Sequence, residues 1–149
     1  MKKFSFSLEK VLSYKESVLE KEKGELARLN MQRRELVAEQ LRLEEALQRE
    51  SQDFQLKMVT GVSGVELQNF QYMKTSADNQ IKSLKQQIIQ KDKQIDKQKT
   101  VVIEADKDVK KFTKLKENQV EEYRILEAAE QKDSILESLS NKIGRAKTN

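Results

Sequence analysis

Residues 58–64, Met58-Val59-Thr60-Gly61-Val62-Ser63-Gly64, form the only credible break in a chain otherwise patterned for helix. Two glycines three apart favour a bend, because glycine adopts backbone conformations that other residues avoid. Ser63 followed by Glu66 has the spacing of a capping box, which starts a new helix. The stretch therefore reads as a stop, a turn and a restart.

On the N-terminal side a seven-residue repeat runs from Leu8 to Phe54. One position holds Leu12, Leu19, Leu26, Arg33, Gln40, Leu47 and Phe54; the other holds Leu8, Lys15, Glu22, Leu29, Leu36, Leu43 and Glu50. That spacing keeps one stripe facing a partner helix, as a coiled coil requires. On the C-terminal side a second repeat starts at Leu67. One of its positions reads Leu67, Lys74, Ile81, Ile88, Ile95, Val102, Val109, Lys116 and Tyr123. The other reads Phe70, Ala77, Leu84, Lys91, Gln98, Ala105, Phe112, Gln119 and Leu126. Beyond it the apolar positions shift to Ile135, Leu136, Leu139 and Ile143, and the last four residues, AKTN, are expected to fray.

The pattern predicts an all-α chain: two long helices forming an antiparallel coiled-coil hairpin, with helix 2 longer and overhanging. Helix 1 is expected over about 5–58, the bend over 59–64 and helix 2 over about 64–143. At 1.5 Å per residue these would be about 80 Å and about 120 Å long, one coiled-coil rod spanning 1–149. In an antiparallel pair the numbers of facing residues have a constant sum. A sum of 124 sets Phe54 against Phe70, Leu43 against Ile81, Leu29 against Ile95 and Leu12 against Phe112. It also sets Glu50 against Lys74, which is favourable, and Arg33 against Lys91, which requires both to snorkel outward. Periodicity alone leaves a slip of one heptad open.

Composition agrees with narrow stripes on charged helices. Of 149 residues, 36% are hydrophobic and 36% charged, with no Pro and four Gly. An interior several layers deep needs more apolar mass, and disorder would not carry the periodicity. His and Cys are both absent. The usual zinc sites, Ser–His and Cys–His nucleophiles and imidazole acid–base chemistry are therefore excluded, and no disulfide can form. No phosphate-cradling glycine loop occurs. The chain reads as a non-enzyme with no catalytic, cofactor or metal residues. No apolar run reaches the 18 residues of a membrane span, and MKKFSFSLEK lacks the apolar core of a signal peptide. A soluble, cytoplasmic, monomeric protein is the expectation.

Helix 1 runs out opposite about residue 116, so roughly thirty residues of helix 2 project alone. They carry Tyr123, Ile125, Leu126, Ile135, Leu136, Leu139 and Ile143. This overhang reads either as a half-ordered tail or as a docking segment for another protein. Charge is segregated along the same helix. Residues 82–116 hold eleven Lys against five acids, and residues 117–137 hold seven acids against two bases, inside a chain of net +4. A solvated face, an acidic protein partner and nucleic acid are the readings of the basic stretch. It lacks the stacking aromatics and binding motifs of nucleic-acid proteins, so no nucleic acid is expected. Near the bend, Phe70, Met73, Ala77, Gln80 and Leu84 share a broad face, with Tyr72 outside the seam; a partner site there is a further expectation.

The opening FSFSLEKVLSYKE, followed by a charged heptad helix, resembles the start of the flagellar FliJ family. GVSGVELQNFQYMKTSADNQI resembles that family's bend and second-helix start, and the similarity covers nearly the whole chain. The resemblance implies a small cytoplasmic component of the flagellar type III export apparatus, peripheral to the inner-membrane basal body and similar to the central stalk of rotary ATPases. It implies that the chain promotes assembly of the hexameric export ATPase, links it to the membrane export gate, and interacts with export chaperones. By position, Phe4, Phe6, Leu8, Val11, Leu12, Tyr123 and Leu126 fall at the end expected to meet the ATPase. Phe70, Tyr72, Met73, Ala77, Gln80 and Leu84 fall in the gate-binding region. The alternatives are a structural coiled coil pairing between chains, a basic rod binding nucleic acid, and the stalk of a related non-flagellar injection system.

Overall fold

The computed structural model describes residues 2–148, the side chain of Thr148 excepted. Two helices account for nearly all of it: α1, Glu9–Thr60, and α2, Gly64–Thr148, packed against each other as a hairpin. No strand occurs among the described residues.

The bend forms as its sequence requires. The Gly61 N–H donates to the Met58 carbonyl at 3.2 Å, and the Thr60 hydroxyl donates to the Lys57 carbonyl at 3.0 Å, closing the last turn of α1. Gly61 then takes φ +99°, a left-handed conformation that only glycine adopts cheaply. Ser63 caps α2: its hydroxyl oxygen accepts from the Glu66 N–H at 3.1 Å, and its carbonyl accepts from Leu67 N–H at 3.1 Å.

The chain divides into two compact units. The first to describe is Lys21–Ile103, which contains the bend. Its core is a single apolar line of Leu29, Phe54, Ile81, Ile88 and Ile95. Phe54 and Phe70 stack with ring centroids 4.1 Å apart, which fixes the register at a sum of 124. Leu29 and Ile95, which that register sets face to face, are both buried. Polar seam positions bond across the pair instead of crowding. The Gln98 amide donates to the Glu22 carbonyl at 3.0 Å and to its carboxylate at 2.6 Å. Arg33 pairs with Asp92 at 2.5 Å, and Lys91 reaches Gln32 at 2.8 Å. The expected Arg33–Lys91 clash is thereby resolved by each cation turning to a neighbour of the other.

The other unit is Met1–Glu20 with Glu104–Asn149. Phe6, Leu12, Leu19 and Ala105 are its buried residues. Lys15 pairs with Asp108 at 3.3 Å, and Glu9 with Lys116 at 2.7 Å. Here α1 begins at Glu9 rather than near residue 5. Residues 2–6 are not helical and lie as a strap instead. The Tyr123 hydroxyl donates to the Lys2 carbonyl at 2.5 Å, and the Phe4 ring meets Tyr123 edge-on at 5.7 Å. Burial of Phe6 outweighs another turn of helix, since an isolated end turn gains little by itself.

Helix α2 continues to Thr148, past the expected limit of 143. Nothing in residues 144–148 is a strong stop. A single Gly144 costs only about 1 kcal/mol relative to alanine, and Arg145 and Lys147 favour the negative end of the helix dipole.

Candidate docking surfaces

Burial along α2 separates seam from surface. All seam positions from Ala77 to Tyr123 are buried or half-buried. Near the bend the seam opens: Glu50, Leu67 and Lys74 are exposed, and beyond the Phe54–Phe70 stack so are Leu56, Met58, Val59 and Val65.

The six residues of the expected gate-binding region fall into two groups. Phe70, Ala77 and Leu84 are half-buried seam residues, and Met73 is half-buried beside the seam. Tyr72 and Gln80 are exposed and line one shallow hollow on α2 with Thr75, Ser76, Asn79 and Ser83. Gln80 lies on the same helix stripe as Met73, one heptad earlier, and is the more exposed of the two. Tyr72 is 69% exposed, an aromatic side chain that the hairpin does not use.

The seven residues expected at the other end are also sorted by burial. Phe6 and Leu12 are buried, while Phe4, Leu8 and Tyr123 are half-buried in the strap and its contacts. Val11 and Leu126 are exposed. Tyr123 is not part of a bare overhang, as the heptad count had it, because the strap covers it. Nothing in the alternating apolar spacing of Phe4 and Phe6 distinguishes a strap from the first turn of a helix.

Sequence reasoning also missed a groove between the helices in the bend-containing unit. It is lined by Leu36, Leu84, Ile89 and a row of glutamines at 86, 87, 90 and 94. The run of glutamines on the outer positions of α2 is the only signal that could have marked it.

In the lysine-rich stretch of α2, Lys107 pairs with Glu104 at 3.4 Å and Lys110 with Asp106 at 2.8 Å. Among the described residues there is no group of three or more His, Cys, Asp or Glu placed to hold a metal ion. No described helix is long and apolar enough to cross a membrane.

A family model described as flagellar FliJ protein matches residues 4–134. Comparison with curated proteins and with solved structures gave no match. The matched span takes in the strap from Phe4, the whole of α1, the bend, and α2 as far as Ser134. With most of its length so matched, the chain belongs to the flagellar FliJ protein family, whose members are components of the flagellar type III export apparatus.

Proposed function

We propose that the chain is the non-enzymatic stalk and general chaperone of that apparatus. It promotes assembly of the hexameric export ATPase, links the hexamer to the membrane export gate, and meets export chaperones. The observation that carries this reading is an antiparallel hairpin in a FliJ-family chain whose N-terminal strap is tied to α2 at Tyr123. The N-terminal strap and the Tyr123 region of α2 are thereby offered together to one partner. Phe4, Leu8, Val11, Tyr123 and Leu126 are the ATPase contacts, with Phe6 and Leu12 holding them in place from beneath. Tyr72 and Gln80 lead the contact with the gate, and Phe70, Met73, Ala77 and Leu84 form its apolar edge. In this reading residues 1–149 act as one coiled-coil domain, cytoplasmic and peripheral to the inner-membrane basal body. Nucleotide hydrolysis belongs to the partner.

Sedimentation of the export ATPase with nucleotide, with and without the chain, tests the reading. The hexamer fraction and the hydrolysis rate should both rise; unchanged values would reject it. At the gate, Tyr72→Ala should weaken binding to the gate's cytoplasmic domain about tenfold, the scale of an aromatic anchor. Because Tyr72 is exposed, its circular-dichroism melt should match that of the parent chain. Undiminished affinity would remove Tyr72 from the site.

A further inference from the structure

Beyond Tyr123, α2 carries a second seam whose register differs from that of the hairpin. Ile125, Ala129, Leu136, Leu139 and Ile143 fall on alternating steps of four and three, with Lys132 as the one polar interruption. That rhythm keeps a stripe on one side of a helix, as a two-stranded coil needs. Its four large apolar members are between 50% and 60% exposed, and Ala129 is exposed as well. Within this unit α1 starts at Glu9, level with Lys116, and the strap reaches Tyr123. More than half of the seam also lies past residue 134, where the family match ends.

Charge selects what covers it. Residues 117–130 contain five acids and one base, whereas residues 138–147 contain Lys142, Arg145 and Lys147 and no acid. A parallel second copy would set acid on acid and base on base. An antiparallel copy sets the acidic half of each helix on the basic end of the other. The register that joins the two seam classes puts Ile125 opposite Ile143 and Ala129 opposite Leu139 of the second copy. The same register sets Glu121 opposite Lys147 and brings Glu127 beside Lys142. Lys132 then faces Leu136 with its ammonium free to reach Asp133 of the second copy, which offsets the approach of the two Asp133 carboxylates.

We propose that the free chain pairs with a second copy of itself through residues 121–147 of α2, antiparallel, in a closed twofold interface. Its seam residues, Ile125, Ala129, Leu136, Leu139 and Ile143, are not among the proposed ATPase or gate contacts, although Tyr123 and Leu126 lie at its edge. Association is reversible and weakens with salt, since its direction is set by exposed charge.

The absence of native cysteine makes the test direct. Full-length Ile125→Cys and Ile143→Cys chains are mixed and oxidised, beside each variant alone, and analytical ultracentrifugation follows the unmodified chain over a dilution series. The mixture should give a disulfide-linked dimer at least tenfold above either variant alone, and the unmodified chain should show a twofold mass change that high salt suppresses. Leu136→Asp should abolish dimerisation while leaving the hairpin's circular-dichroism spectrum intact. Efficient linking of Ile125→Cys to itself would mean a parallel pair and overturn the proposal. A monomeric mass at every concentration, or a dimer indifferent to Leu136→Asp, would overturn it equally.

Discussion

Phe54 is the residue on which the bend end of the hairpin rests: buried, and stacked on Phe70 at 4.1 Å. Replacing it removes apolar burial and the ring pair together. Phe54→Ala should lower unfolding free energy by about 3 kcal/mol, measured by urea denaturation; a loss under half that would mean the stack is dispensable. Smaller effects come from surface charge. Hydrogen bonding from Arg28 holds the Glu25 carboxyl below its ordinary 4.5, and Arg42 does the same to Glu39. A carboxyl whose pKa is depressed on folding contributes stability above its unfolded-state value and loses it as pH falls through the folded one. The loss therefore sets in below about 4.5, the unfolded-state value for Glu. Both pairs are solvent-facing within one helix, so the contribution is small. A chain carrying Glu25→Gln and Glu39→Gln should lose helicity less steeply on acidification, and an identical titration would show that the pairs contribute nothing.

At the scale of elements, α1, α2 and the turn between them were legible because each has a local physical cause. Gly61 and Ser63 announce the turn and the cap, and the heptads announce the faces. The strap was not legible. Its cause is non-local: Phe6 is buried and Phe4 meets Tyr123 across more than a hundred residues of chain. Local spacing contains no trace of such a contact. The same limit explains Arg33 and Lys91, a clash by heptad counting that Asp92 and Gln32, one step away on each helix, relieve. The strap is also the element most open to test. Tyr123→Phe removes one hydrogen bond and should cost about 1 kcal/mol of local opening free energy. Tyr123→Ala, which also removes the ring contact, should cost about 2 kcal/mol. Hydrogen exchange at the amides of residues 3–6 reads both, and equal exchange in all three chains would deny that Tyr123 ties the strap down.

For the whole molecule, composition and periodicity pointed to a two-helix hairpin, which the structure shows, while the family reading came from residues around the start and the bend. The candidate surfaces were only partly legible. Tyr72 lies outside the seam by arithmetic, and it is exposed. Which neighbours share a hollow with it was not legible from heptad position, since burial differs between Met73 and Gln80 on one stripe. Every functional assignment presupposes that α1 folds back on α2 of the same chain. The most direct measurement is oxidation of a Leu29→Cys, Ile95→Cys double variant, two buried positions that the Phe54–Phe70 register sets face to face. On a non-reducing gel, nearly all of the chain should run as a disulfide-closed monomer at every dilution. Covalent dimers forming in place of that monomer would mean that the helices pair between chains, and would contradict the hairpin.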